Sequence, residues 1–408
     1  MKKTVFLIVG FFLLQGIIHN LGHPVTPTFV SGLGIPDIMF GVFFASMSFG
    51  LMIGGPIWGI LSDHGKKKKY IIIGLLIYSL GQFLFGYVHY ASLMVIVRFM
   101  SGLGVVSAST LLTSHVIEIS DLRDRAKHLA YVGAAFTVGA SLGYFIGGFI
   151  ATNIAFSDFL GTTDLRRVFL IQSIANLVYV GIIYLTFKED QIETISIKKP
   201  SILAGFKQIS KIEPSLLIFL ISLTFMTIGS TNLSKYIDVY FIHLGYNSQE
   251  LGTFVMVTGF VSLFASIFLV PLFTKSRHLL KMIALIQILS AIIVFITFRS
   301  TQFLIIMYTV FMIYVIFKTI YQPLEQNYIS KHAKDGKYGS VMGLRQSFVS
   351  IGMVIGPLLG GVIYQFEPIL LFDFSAVVFL IGALLLVWVY ILQKRNASNI
   401  QLKKGVDD

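Results

Sequence analysis

The chain is predicted to be an all-α integral membrane protein, with twelve transmembrane helices in two pseudo-symmetric six-helix bundles. Three observations carry the prediction: apolar runs long enough to cross a bilayer, a low charge content, and a glycine pattern that recurs in each half. Of 408 residues, 55% are hydrophobic, 14% aromatic and 12% charged, with a mean hydropathy of +0.83. Soluble proteins carry about a quarter charged residues. The composition therefore excludes an ordinary water-soluble enzyme and a disordered chain alike. The absence of cysteine excludes disulfides, thiolate zinc sites, iron–sulfur clusters and a cysteine nucleophile.

Crossing the hydrocarbon core takes about 20 apolar residues. Twelve stretches qualify, at 4–30, 37–62, 69–88, 92–118, 129–153, 167–187, 214–242, 248–273, 280–298, 302–328, 340–364 and 369–392. Each is far longer than a barrel strand of about ten residues, so the elements are helices. The first follows Met1-Lys2-Lys3 but continues past the length of a secretory leader without a small-residue cleavage site, and reads as a membrane helix.

Basic residues orient the spans. The 31 basic and 19 acidic residues leave +12, which in a soluble chain would suggest nucleic acid. Placement decides otherwise. With the N-terminus in the cytoplasm, the inside segments hold 24 basic residues: Lys2, Lys3, Lys66 to Lys69, Arg123, Arg125, Lys127, five lysines in 188–213, Lys275, Arg277, Lys281, Lys331, Lys334, Lys337, Lys394, Arg395, Lys403 and Lys404. The outside loops hold three, Arg166, Arg167 and Arg299, and four lie within spans: Arg98, Lys235, Lys318 and Arg345. The positive-inside rule then places both termini in the cytoplasm, and a basic excess placed this way needs no nucleic-acid partner; the expected location is the cell (plasma) membrane.

The one long polar stretch, 188–213, divides the spans six and six. Within it Ile202, Leu203, Phe206 and Ile209 recur at helical spacing beside Lys207 and Lys211, as in an interfacial amphipathic helix. The expected organisation is a bundle over 1–187, a cytoplasmic linker over 188–213, a second bundle over 214–393 and a cytoplasmic tail over 394–408. Span five carries Gly139, Gly143, Gly147 and Gly148; span eleven carries Gly352, Gly356, Gly360 and Gly361, at a constant offset of 213. Glycine at spacing four lets a neighbouring helix approach closely, and one such pair means helix packing. Four in register, twice, point to a duplication with parallel repeats, a plan found in transporters with a substrate site near the midplane.

These residues resemble the major facilitator superfamily, specifically its twelve-helix drug:proton antiporter branch. Span eleven matches the pattern G-x-x-x-G-P-x-x-G-G at every fixed position, including Pro357; span five matches except that Tyr144 stands where the family usually has proline. Pro24-Val25-Thr26-Pro27 matches P-V-x-P, and Arg98, Gly102 and Gly104 are similar to R-x-x-x-G-x-G. The segment from Gly59 through Asp63 and Gly65 resembles the loop G-x-L-x-D-R-x-G-R-R, with His64 for the arginine and one residue fewer before the glycine; the second half has lost the aspartate. The resemblance implies alternating access by rocking of two halves, with export driven by protons. It implies that Asp63 helps hold the inside closed and that Arg98 is linked to proton transfer.

Each candidate also has a reading of its own. Asp63 can pair with Arg123 or Arg125, or lie near the N-terminus of span eleven, whose dipole favours an anion; the lysines beside it read as a positive-inside anchor. Arg98 sits inside the apolar zone, where a charge is costly and marks function, the plain alternative being snorkelling. Lys318, Gln322 and Glu325 share one stripe of span ten, facing water or forming an intrahelical Lys–Glu pair, and Pro323 permits a kink. Asn232, Lys235 and Asp238 lie near one end of span seven, where Lys235 and Asp238 can neutralise each other. His19 and His23, four apart, are better proton carriers than metal ligands because no third ligand is evident.

No Asp or Glu occupies the centre of any span, so proton coupling falls to Asp238, Glu325, Glu118 or the histidines, or is absent; a facilitator or lipid flippase is the alternative function. A membrane-bound enzyme is the competing class, yet the chain has no His-Glu-x-x-His, no Gly-x-Ser-x-Gly and no phosphate-binding loop. The expected partners are an amphiphilic small molecule, protons and the bilayer, with the chain a monomer needing no cofactor or metal. Because embedded cations outnumber embedded anions, neutral, zwitterionic or anionic amphiphiles are favoured as substrates.

Overall fold

The computed structural model describes residues 3–36, 38–62, 66–188, 213–274, 278–331 and 338–404, and among these there is no strand. Twelve helices are long and apolar enough to cross a membrane. They are α1 (Lys3–Asn20), α2 (Ile38–Ser62), α3 (Lys67–Tyr87), α4 (Ala91–Ile119), α5 (Leu122–Thr152), α6 (Arg166–Thr186), α7 (Pro214–His243), α8 (Ser248–Phe264), α9 (Leu279–Thr297), α10 (Val310–Ser330), α11 (Tyr338–Phe366) and α12 (Pro368–Lys404). The amphipathic segment expected around 202–209 lies outside the described residues.

Three spans differ from the continuous helices expected. The first stops at Asn20, turns, and resumes as a short helix over Thr26–Gly32. Pro24 has no N–H to continue the ladder, whereas Pro27 falls in the first turn of the short helix, where none is needed. The buried Gly22 carbonyl accepts both the Thr26 hydroxyl at 2.6 Å and the Thr26 backbone N–H at 3.1 Å. The helix α8 passes into a π-helical turn at Ala265–Leu269 before ending with Val270–Thr274; Pro271 lacks the donor that an α-helical turn here would use. Before α10, the short helix Phe303–Tyr308 breaks at Thr309, while Pro323 stays inside α10. Finally, α12 runs past 392 to Lys404.

Packing groups the chain into two compact units. One takes α1 to α6 with Lys235–Leu263; the other takes the described residues from 213 to Ser234 and those from Phe264 onward, so the divisions fall within α7 and at the end of α8. In the first unit α1 packs on α5, α2 on α4, and α3 on both α4 and α6; in the second, α9 packs on α10 and α12. The pairing of α3 with α6 thus recurs as α9 with α12.

The glycine stripes are packing seams. Gly139, Gly143 and Gly147 of α5 press against the carbonyls of Leu13, Ile17 and Leu21, and Gly16 of α1 meets α5 in return, where a Cβ would stand 2.8 Å from Ala140 N. Gly148 and Gly252 do the same between α5 and the start of α8, a Cβ on Gly252 falling 2.5 Å from the Tyr144 carbonyl. In the second unit Gly352 and Gly356 face α7, at Thr227 and Ile228, with a Cβ on Gly356 reaching 3.1 Å from Ile228 O. Each stripe therefore seats against the first helix of its repeat, close-packed as small residues allow. Large apolar side chains such as Leu80, Ile96, Leu185 and Leu384 remain exposed, which suits a hydrocarbon solvent.

Candidate functional site

Within the first unit, α1, α3 and α6 close on a buried polar network. Both amide protons of Asn176 are committed, to Leu75 O at 2.8 Å and Ser79 Oγ at 2.7 Å. Its Oδ1 must therefore accept, and His19 Nε2, 3.1 Å away, donates. The same imidazole packs on Tyr78 with centroids 4.4 Å apart. Gln172 Nε2 donates to Ile18 O, His19 O and Tyr78 OH at 2.9–3.0 Å. Against this network lies Arg98, 7% exposed, its guanidinium 3.5 Å above the Phe85 ring. Among the described residues it has no hydrogen bond and no carboxylate partner. His19, His23, Gln82, Arg98 and Gln172 line a cavity of about 10 Å3, room for roughly one water.

A second cluster gathers side chains from the turn after α1, from α2, from α5 and from the end of α7. Asp238, 2% exposed, accepts a 3.0 Å hydrogen bond at Oδ2 from the Tyr144 hydroxyl. The Tyr144 ring stacks on His23 at 5.3 Å and 9°, and Phe44 also stacks on the imidazole, at 5.8 Å and 15°. Lys235 Nζ sits 4.5 Å from the Phe44 centroid. Structure thus brings His23, Lys235 and Asp238 together, with Tyr144 and Phe44 as their joint partners.

At the opposite end of α1 and α5 the first unit is open. Phe6, Val9 and Leu13 face Tyr131, Ala135 and Val138 across a cavity of about 780 Å3, with Asp121, Asp124, Lys127 and His128 also in its wall. The volume falls in the range of small-molecule pockets.

In the second unit the stripe of α10 does not act as one surface. Lys318 and Gln322 are exposed, whereas Glu325 is buried and bonded to Arg345 of α11. The intrahelical Lys–Glu pair is thereby replaced by one between helices, because α11 brings a planar guanidinium against the carboxylate. Asn232 is fully buried beside Gly356, and neither side-chain polar atom has a partner among the described residues.

Of the loop candidates, Gly59 lies in the last turns of α2, Asp63 and Gly65 fall outside the described residues, and Arg123 and Arg125 are described as backbone only, in the first turn of α5. Beside this loop Lys67 pairs with Glu118 at 2.6 Å, and Ser114 donates to the same carboxylate at 3.1 Å. Among the described residues no three His, Asp or Glu side chains gather as metal ligands.

Sequence reasoning missed Tyr144, Gln172, Asn176 and Arg345. Three had a signal: Tyr144 replaces the expected proline, and Gln172 and Asn176, with Ser173, put three polar side chains on one side of an apolar span.

Comparison with known proteins agrees with this architecture. The sequence profile described as Major Facilitator Superfamily matches residues 5–334 and, in a second alignment, 276–406. The chain is 25% identical over 397 residues to Multidrug resistance protein 2 of Bacillus subtilis (strain 168), covering 95% of this chain and 96% of that protein. It is 26% identical over 377 residues to Quinolone resistance protein NorA of Staphylococcus aureus (strain COL), covering 90% and 91%. Among solved structures it is similar in fold to a bacterial homolog of the human lysosomal transporter Spinster, at a TM-score of 0.72 and 15% identity, covering 95% and 96%.

Proposed function

The chain belongs to the Major Facilitator Superfamily, and on that premise we propose that it exports amphiphilic small molecules, drugs among them, from the cytoplasm in exchange for protons. Both termini face the cytoplasm of a plasma-membrane monomer, and the six-helix halves 1–187 and 214–393 rock about a central path in alternating access. The named relatives support drugs as the substrate class. The observation that carries proton exchange is Asp238, a buried carboxylate held by Tyr144 beside the stacked imidazole of His23. A proton arriving at this pair changes buried charge, and a change of buried charge is what shifts a two-state equilibrium.

Two further features support the reading. The basic residues would put the 780 Å3 cavity at the cytoplasmic end, where an exporter takes up its substrate. Its wall is mainly apolar with few polar groups, suited to an amphiphile. The unpartnered Arg98 favours substrates that are not strongly cationic.

Inverted membrane vesicles test the proposal. Imposing a proton gradient should drive accumulation of a fluoroquinolone, and a protonophore should abolish it. Accumulation indifferent to the protonophore would instead support a facilitator or flippase.

A further inference from the structure

We propose that Tyr144 is a positioning residue that joins Asp238 to His23 through one side chain, so that a change of charge on either group is felt by the other. This rests on the proton-exchange reading above and names the element that would couple its two titratable groups.

The two contacts use different parts of Tyr144. Its hydroxyl donates to Asp238 Oδ2 at 3.0 Å, across 94 residues of sequence. Its ring lies nearly parallel to His23, on which Phe44 also stacks. A phenol binds a carboxylate about twice as strongly as it binds a neutral acid. An aromatic face, in turn, attracts imidazolium more than imidazole. A proton on Asp238 therefore loosens the hydroxyl end of Tyr144, and a proton on His23 tightens the ring end. With 8% exposure and its ring in the stack, Tyr144 cannot answer one change without moving against the other.

Around the pair, α3 contributes the phenol of Tyr78 and α2 the apolar Phe44, and the basic groups among the described residues are Lys235 on α7, Arg98 on α4 and His19 on α1. All three can carry positive charge. Asp238 is thus the one acidic group of this cluster among the described residues, and Tyr144 is its hydroxyl partner. A proline at position 144 would supply neither hydroxyl nor ring, so the link is a property of this chain's departure from the pattern of span five.

The test uses the purified full-length protein and two readouts. The first is thermal unfolding in detergent across about pH 6 to 8 for wild type, Tyr144→Phe, Asp238→Asn and the double variant. Tyr144→Phe keeps the ring and its stack and removes only the hydroxyl. It should lower the midpoint by roughly 2 °C, by an amount that changes with pH, and should have about half that effect, independent of pH, in the Asp238→Asn background, whose amide oxygen still accepts the weaker bond. A deficit that is constant with pH in the wild-type background, or that adds in full to the Asp238→Asn deficit, would overturn the proposal. The second readout is fluoroquinolone movement in proteoliposomes. Tyr144→Phe should cut gradient-driven accumulation about tenfold and leave gradient-free exchange within about twofold; equal losses in both would mean a structural role only. If wild type ignores the proton gradient, the exporter reading fails, while the unfolding series still decides whether Tyr144 links the two groups.

Discussion

Arg345 Nε lies 2.9 Å from both carboxylate oxygens of Glu325, and Nη2 donates a further bond to Oε1, so α10 and α11 are clamped by a forked pair. The carboxylate side chain is 1% exposed and the guanidinium 13%. Removing one partner of such a pair strands the other, at a cost of about 3–5 kcal/mol, whereas replacing both by apolar side chains is often close to neutral. Arg345→Ala and Glu325→Ala should each lower the thermal midpoint sharply, and Glu325→Leu with Arg345→Met should recover most of the loss. Gradient-driven transport should persist in the double variant, because a carboxylate held this way is structural rather than a proton carrier.

What was legible in the sequence follows the range of the interactions involved. Apolar run length and glycine spacing are local, so the twelve spans and the close-packing stripes of α5 and α11 could be read directly, whereas their partners α1 and α7 could not. Local rules also explain the misjudged breaks: Pro24 and Pro271 lie inside long apolar runs, and hydropathy is blind to a missing N–H. The site is a different matter. Lys318 and Glu325 do share a stripe, but the partner of Glu325 is decided by what α11 presents. Asp238 and Tyr144 meet only after α5 and the end of α7 have packed, and no periodicity within either helix announces it.

The seam glycines differ measurably from their neighbours. A Cβ on Gly143 would run into the Ile17 carbonyl, whereas one on Gly133, in the same helix, or on Gly10 of α1 meets nothing within 4 Å. Gly143→Ala should destabilise by about 1–3 kcal/mol through overpacking. Gly133→Ala and Gly10→Ala should be neutral or stabilising by up to about 1 kcal/mol, the helix propensity gained. Thermal midpoints of the three variants check the contrast, and equal effects would remove the seam as the reason for the pattern.

Arg98 supplies a buried charge that lies over the face of Phe85. Arg98→Ala should abolish transport in a protein that still folds and inserts. Arg98→Lys keeps the charge but loses the planar group that lies over the ring, and should retain partial activity at most. Full transport by the alanine variant would reduce Arg98 to packing.

Orientation is testable because the chain has no cysteine. Ser31 and Asn247 are both exposed, in or beside connections predicted to face outward. Single cysteines there should react with an impermeant maleimide on intact cells. A cysteine at Ser201 should react only after permeabilisation. The reverse pattern would invert the topology and with it the direction of transport.

The histidines of the first unit should separate by function. His19 is tied into the α1–α3–α6 network through Asn176, whose amide protons are both spent, so the tautomer that donates from Nε2 is fixed by its partner. Changing it breaks a chain of buried hydrogen bonds, each worth about 0.5–1.5 kcal/mol, and leaves Asn176 Oδ1 unsatisfied. His19→Phe should therefore lower stability while leaving the residual transport proton-driven. His23 makes its observed contacts through ring stacking, with Tyr144 and Phe44, beside the only buried acid of its cluster among the described residues. His23→Phe preserves the stack and removes the charge change, and Asp238→Asn removes the acid. Each should leave downhill fluoroquinolone movement and abolish its dependence on the proton gradient. A group whose protonation biases two conformations shifts their ratio by up to about tenfold per pH unit, so wild-type efflux should vary steeply with pH and both variants weakly. If His19→Phe uncouples transport and His23→Phe does not, the proton path runs through the Asn176 network instead. Glu118, already paired with Lys67, would then be the next carboxylate to neutralise.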